Sequence, residues 1–261
     1  MENLNLQVHI LIAAAGQGKR MGADTNKLFL TLADKPLIAW TVEKALSFIH
    51  SLKNPTLGHI HLICHPQEIE SMKNLMADYG LTDAVANYIS GGSTRRESVY
   101  LALQTLHQEE IPSESLVFVQ DGARCLGPLE VWQDAYRTVL EKGAACPALP
   151  VHDTLRLEDR SKSEKGLLGH TIDRENLYRI QTPQAFHFKD LYEANLKVAE
   201  KIRQNPDDES LYTDDVRIAQ EIDIEVFRSQ GSLLNFKLTR PEDLALGELL
   251  VKSEHYLLKN M

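Results

Sequence analysis

Cysteine is scarce in this chain: Cys64, Cys125 and Cys146 are all it has in 261 residues. Three widely spaced thiols, odd in number and without a Cys-x-x-Cys pair, argue against a disulfide framework or a cysteine-based metal site. Long apolar runs are missing too, and no stretch approaches the roughly 18 residues that cross a bilayer. Met1 to Val8 lacks the basic start and long apolar core of a secretory signal, so a cytoplasmic protein with no membrane partner is expected. Positive charge is in deficit, with 28 Lys and Arg against 37 Asp and Glu and a net charge of −9. A phosphate backbone demands a basic surface, so nucleic acid is a poor partner. A small phosphorylated ligand needs only a locally basic pocket, and that possibility stays open.

The apolar residues that are present fall into a repeating order. Val8 to Ala13 is short, rich in branched side chains and followed by glycines, which predicts a buried strand entering a loop. Helical spacing follows over Pro36 to Ile49, then a strand at Ile60 to Cys64 and a helix from about Pro66 to Tyr79. A strand at Val85 to Ile89 reaches Gly91-Gly92, and a helix runs on to about His107. Leu116 to Gln120 is the clearest buried strand, and it ends at Asp121. Strands alternating with helices predict an α/β fold: a Rossmann-like, three-layer α/β/α arrangement on a mostly parallel sheet. A single domain over residues 1–261 is expected, with ligands gathered at the carboxyl ends of the strands.

The alternation breaks between Pro150 and Ile172. Val151 to Leu157 and Leu167 to Ile172 predict a β-hairpin around the polar run Glu158 to Gly166. An isolated hairpin is marginal in water, so an arm at about 150–176 is expected to pack on something, most simply a second subunit. A surface insertion is the alternative. Strands around Ile224 to Arg228 and Leu233 to Leu238 precede a last helix, which Thr239-Arg240-Pro241-Glu242 opens with capping-box spacing and an early proline.

Three constellations carry chemistry. Ala13-Ala14-Ala15-Gly16-Gln17-Gly18-Lys19-Arg20-Met21-Gly22 follows the first strand. Its small residues let backbone N–H groups close on an anion, and Lys19, Arg20 and Lys27 add fixed positive charge. A Walker A loop needs glycine where Ala13 stands and Ser or Thr where Arg20 stands. A dinucleotide fingerprint needs its third glycine one residue earlier than Gly22. The second constellation is Gly91-Gly92-Ser93-Thr94-Arg95-Arg96-Glu97-Ser98, a glycine loop opening a helix. Gly92, Ser93 and Ser98 can contact a base or ribose there, unless this is only a capped helix. The third is Asp121-Gly122-Ala123-Arg124, either a ligand-holding carboxylate beside an arginine or a plain Asp-Gly turn. Thr154, Arg174, Thr182, Thr213 and Lys237 are weaker anion-binding candidates. His59, His61 and His65 either bind a metal or are structural.

Taken together, these segments resemble the 2-C-methyl-D-erythritol 4-phosphate cytidylyltransferase family over nearly the whole chain, from Ile12 to about Leu250. The resemblance extends to Thr171-Ile172-Asp173-Arg174, Gln181-Thr182-Pro183-Gln184-Ala185-Phe186 and Lys237-Leu238-Thr239-Arg240-Pro241. It implies a reaction of CTP with 2-C-methyl-D-erythritol 4-phosphate, with Mg²⁺ or another divalent cation held mainly by the triphosphate and no certain metal ligand in the protein. It implies that Arg20 and Lys27 are catalytic. Ala13 to Lys19, Gly91, Gly92, Ser93, Ser98, Asp121 and Gly122 would hold CTP. Asp121, Arg124, Thr154, Arg174, Thr182, Thr213 and Lys237 would bind the acceptor across a homodimer.

The chain departs from the family pattern in two places. Asn26 precedes Lys27 where a proline is usual, and Cys125 follows Arg124 where a proline is usual; Cys125 is therefore a candidate oxidation-sensitive thiol. Competing expectations are a relative acting on ribitol 5-phosphate or another sugar-alcohol phosphate, a nicotinamide-dependent reductase, and a non-catalytic nucleotide-binding relative.

Overall fold

The computed structural model describes residues 6–16, 26–159, 161 and 166–253. Strand β1 (Val8–Ala13) forms where its apolar run predicts, and Val8 to Ile12 are buried. Two short strands, β2 (Thr31–Leu32) and β3 (Lys35–Pro36), lead into helix α1 (Leu37–Ser51). Then β4 (Gly58–Cys64), α2 (Ile69–Asp78), β5 (Val85–Ser90), α3 (Arg95–Gln108) and β6 (Leu116–Asp121) complete the expected alternation. Thr94 caps α3 by accepting the Glu97 N–H at 3.0 Å. The Glu97 carboxylate in turn takes the Ser93 N–H and hydroxyl, both at 2.6 Å.

Beyond β6 come α4 (Leu129–Lys142) and β7 (Ala144–Pro150), then the hairpin strands β8 (Leu155–Glu158) and β9 (Leu168–Ile172). Next follow β10 (Tyr178–Ile180), β11 (Gln184–His187), α5 (Phe188–Gln204), α6 (Asp215–Ala219), β12 (Phe227–Gln230) and α7 (Pro241–Val251). Strands β6, β1, β4 and β5 are mutually parallel. The far half of the sheet is mixed, with β11 and β10 antiparallel to their neighbours and β12 parallel to β7. Helices α1, α2, α4 and α7 cover one face, while α3 and α5 cover the other. Strand β6 is buried along its whole length because both its faces carry helices. Phe118 on β6 meets Phe48 of α1 with ring centroids 5.3 Å apart, and Phe48 meets Trp132 of α4 at 5.5 Å. Burying an aliphatic or phenyl side chain this fully is worth about 1.5–3 kcal/mol, so the strand ends are set on a stiff platform.

Four sequence expectations are corrected. Leu233 to Leu238 is not a strand. Asn235 N–H turns back to Ser232 O at 3.1 Å, and Leu238 N–H makes one bond to Ala123 O at 2.9 Å. The segment is held by side chains instead, with the buried Asn235 amide donating to Thr182 O at 2.8 Å. The strand expected at Ile224 to Arg228 starts later, at Phe227, because Asp223 adopts a left-handed φ of 62° and Ile224 N–H goes to Ala219 O. In the hairpin, β8 begins at Leu155 rather than Val151, whose N–H is taken by Leu177 O at 3.0 Å. The cap of α7 is closed by Asp243 and not Glu242: its carboxylate accepts from Thr239 N–H at 2.7 Å and Arg240 N–H at 2.9 Å.

Candidate functional site

The parallel strands end together, and a cleft of about 610 Å³ opens over their carboxyl ends. Two glycines make it possible. A Cβ on Gly122 would stand 2.8 Å from Leu28 Cδ1 and 3.0 Å from Ala13 O, and one on Gly91 would stand 2.6 Å from Ala15 Cβ. Gly122 N–H bonds Ala13 O at 3.1 Å and Gly91 N–H bonds Cys64 O at 2.7 Å. Both loops are thereby sealed to the sheet with their backbones facing the cavity. Ala13, Ala15 and Gly16 line one wall, and Gly92, Ser93 and Ser98 line another. The Ser98 hydroxyl accepts Gly92 N–H at 3.0 Å and donates to Thr94 O at 2.7 Å, which fixes the second loop on the helix start.

Charge is concentrated at Asp121. Its Oδ1 accepts from Arg95 Nε at 3.1 Å, and its Oδ2 lies 2.9 Å from Lys237 Nζ and 3.7 Å from Arg124 Nε. Burial by itself would raise this carboxyl; Arg95, Lys237 and Arg124 outweigh it and hold the group ionised, well below the usual carboxylate range. Arg95 also donates from Nη2 to Asp215 Oδ2 at 2.8 Å. Asp215 is wholly buried, and its Oδ1 has no hydrogen-bond partner among the described residues. There burial pushes the carboxyl up, and Arg95 opposes it. Three cations against two carboxylates leave one wall of the cleft positive, although the whole chain is acidic. Lys27 lines the same cavity, and its Nζ donates to Leu238 O at 2.8 Å. The arrangement can neutralise an anion beside backbone N–H groups, the task posed by a triphosphate in displacement chemistry.

The cleft gathers Ala13, Ala15, Gly16, Lys27, Gly92, Ser93, Ser98, Asp121, Gly122 and Lys237 from the predicted set. Ala14 is buried behind it, and Gly91 packs on Ala15. Gln17, Gly18, Lys19 and Arg20 lie outside the described residues. Thr182 stands just beneath the cleft, its hydroxyl donating to Gln120 Oε1 at 2.9 Å and accepting Asp121 N–H at 3.1 Å. Arg124 turns aside, with Nη1 on Asn235 O at 2.7 Å. Thr154, Arg174 and Thr213 are exposed and outside the cleft lining; Arg174 donates to His152 O. Arg95, Thr94, His65 and Thr239 also line the cleft, with Asp215 buried behind it. The amino-acid order offers Thr94 and Thr239 only as helix starts, His65 only as a possible metal ligand and Asp215 only beside Thr213 among the weak anion-binding candidates. Arg95 follows the glycine loop and opens α3, a usable signal. Asp215 sits 120 residues from Arg95, and nothing in the order of residues pairs the two.

Two other expectations change. His59 and His61 form no metal site, and no group of three or more potential metal ligands occurs among the described residues. His61 pairs instead with His9, Nε2 to Nδ1 at 3.0 Å, and His59 stacks on His9. Cys125 is buried and its thiol is pushed up to about 12 by that burial, the opposite of an oxidation-prone thiolate.

A family model described as 2-C-methyl-D-erythritol 4-phosphate cytidylyltransferase matches residues 8–253. A protein of that name from Trichormus variabilis is 36% identical over 94% of this chain and 98% of its own length. One from Bacillus velezensis is 34% identical over 94% of this chain and 96% of its own. The crystal structure of the Thermus thermophilus protein of that name aligns with a TM-score of 0.68 at 26% identity, covering 93% of this chain and 98% of that one.

Proposed function

The chain belongs to the 2-C-methyl-D-erythritol 4-phosphate cytidylyltransferase family, and from that premise we propose how its cleft moves a cytidylyl group from CTP onto 2-C-methyl-D-erythritol 4-phosphate. The chain is a nucleotidyltransferase of the isoprenoid pathway that takes its name from that substrate. An oxygen of the acceptor's phosphate attacks the α-phosphorus of CTP in line. The bond from that phosphorus to the bridging oxygen breaks, and pyrophosphate leaves as 4-diphosphocytidyl-2-C-methyl-D-erythritol forms. An ionised phosphate is already a nucleophile, so no general base is required; the barrier lies in bringing two anions together.

The observation that carries this assignment is the joining of both glycine loops, Lys27 and the Asp121 cation cluster in one cavity. Backbone N–H groups at Ala15 and Gly16 face the triphosphate, and Lys27 neutralises the charge that grows on the α-phosphorus. Gly92 and Ser98 border the nucleoside. Lys237, held by Asp121, meets the acceptor's phosphate. Arg20 is assigned to the same charge as Lys27 on the strength of the family pattern. A divalent cation, Mg²⁺ in the first instance, would supply further charge neutralisation on the triphosphate. The donor set fits an ion held mainly by phosphate oxygens, because both Asp121 oxygens are already engaged by cations.

Thr154 and Arg174 reach an acceptor only if the arm meets the cleft of a second copy. The arm forms a two-stranded sheet separate from the main one and leaves Leu157 46% and Leu168 69% exposed. A homodimer would cover them and bring Thr154 and Arg174 to the acceptor. Pyrophosphate release over a matrix of four nucleoside triphosphates and several sugar-alcohol phosphates tests the assignment. Release is expected with CTP and methylerythritol phosphate; release only with another pair, such as CTP and ribitol 5-phosphate, refutes the substrate.

A further inference from the structure

Asn26 stands at the neck of the first glycine loop, and the reaction assigned above does not use it. Its side chain is buried, and its amide is bonded in three directions. Nδ2 donates to Ala14 O at 2.8 Å and to Glu68 Oε2 at 2.8 Å, while Oδ1 accepts Leu28 N–H at 3.1 Å. These bonds join the end of β1, the turn after β4 and the turn at Lys27–Phe29. Capping that turn requires only the bond from Leu28. The other two run outward, one to the carbonyl just after β1 and one to the turn after β4, and so hold the end of the glycine-rich segment against its start. Lys27 is the next residue, with its backbone anchored by Asn26 and its ammonium guided by Leu238 O.

We propose that Asn26, braced by the Glu68 carboxylate, is a positioning residue for Lys27. It fixes the backbone from which the ammonium enters the cleft and touches neither substrate. The inference rests on the role proposed for Lys27. The chemistry of the brace is selective: an aspartate at position 26 would set a carboxylate against Glu68 and against a carbonyl oxygen, with no hydrogen to offer either.

The test is steady-state kinetics on the full chain. Misplacing a catalytic group by about 1 Å can cost about 10²-fold in rate. Asn26→Leu is therefore expected to lower kcat by about 10- to 100-fold while KM for CTP changes less than about threefold. Asn26→Asp should fall similarly. The double variant Asn26→Asp/Glu68→Gln should recover at least about fivefold in kcat, because the glutamine amide at position 68 can donate to the new carboxylate. A kcat for Asn26→Leu within about threefold of wild type overturns the proposal. Should that variant fail to fold, the second pair decides, and absence of any recovery overturns it.

Wild type working only with another substrate pair would refute the acceptor, and the same variants are then measured with that pair. If wild type is inactive with every pair, the proposed reaction fails, and amide exchange at Leu28 decides instead. Exchange should quicken at least about tenfold in Asn26→Leu; unchanged exchange overturns the proposal.

Discussion

Replacing Arg95 with glutamine should expose how much of the cleft depends on one guanidinium. In the native protein Arg95 spans Asp121 Oδ1 at 3.1 Å and Asp215 Oδ2 at 2.8 Å. Asp121 keeps Lys237 and Arg124 when Arg95 is lost. Asp215, wholly buried, loses the one ion pair described for it. Stripping one partner from a buried pair costs about 3–5 kcal/mol. Proton uptake sets a ceiling: protonating an ordinary carboxyl at pH 7 costs about 1.4 kcal/mol for each of roughly three pH units, or about 4 kcal/mol. Because burial already raises Asp215 in the native protein, part of this cost is present in wild type. The variant should therefore be less stable than wild type at pH 7 by up to about 3–4 kcal/mol in urea unfolding followed by circular dichroism.

The sign with pH follows from linkage. A carboxyl raised in the folded state binds its proton more readily there than in the unfolded chain, so acidification stabilises the variant. The deficit relative to wild type should shrink between pH 7 and pH 6, by up to about 1.4 kcal/mol where Arg95 keeps the native carboxyl ionised over that range. Adding Asp215→Asn removes the stranded charge and should recover about 2–3 kcal/mol at pH 7. A deficit under about 1 kcal/mol, or one that does not change over that pH range, refutes the electrostatic account of the cluster.

Four further outcomes are expected. Lys27→Ala should lower turnover by about 10²–10³-fold with an unaltered circular dichroism spectrum, and a near-normal rate would remove it from the catalytic role. Burial first, and the neighbouring His59 second, lower His9 to about 3; burial, with His9 and His59, lowers His61 to about 3. The unfolded chain alone then binds these protons below about pH 6.5, so stability should fall by about 1.4–2.7 kcal/mol per pH unit under that value. His9→Gln should flatten the slope in urea titrations, and an unchanged slope counts against it. Leu168→Glu on the exposed arm should shift sedimentation of the proposed homodimer toward monomer, and an unaltered profile would count against the arm as its interface. Cys64, Cys125 and Cys146 are buried with thiols pushed up to about 12 by that burial. They should react with a maleimide on the timescale of unfolding; fast labelling of native protein would contradict this.

Much of the first half of the fold is legible in the amino-acid order, because it is locally encoded. Val8 to Ala13 and Leu116 to Asp121 are apolar enough to be buried on both faces wherever they sit, and Thr94 announces α3 through its own side chain. The glycine loops are legible for the same reason: a backbone that must approach Ala13 O or Ala15 closely excludes a Cβ in any context. Leu233 to Leu238 shows the limit, since its apolar spacing suits a strand, but Asn235 and Arg124 bind its backbone first.

The sequence by itself determined an α/β chain, a glycine-rich segment followed by Lys27 whose residue types suit a phosphate, and the family to which the chain belongs. The tertiary structure decided which charges meet. Arg95 finds Asp215 across 120 residues, Lys237 finds Asp121, and Asn26 finds Glu68. None of these pairings has a period or a spacing, because each depends on where separate strands end in the sheet. Ion pairing acts over a few ångströms of space, and sequence distance carries no record of it.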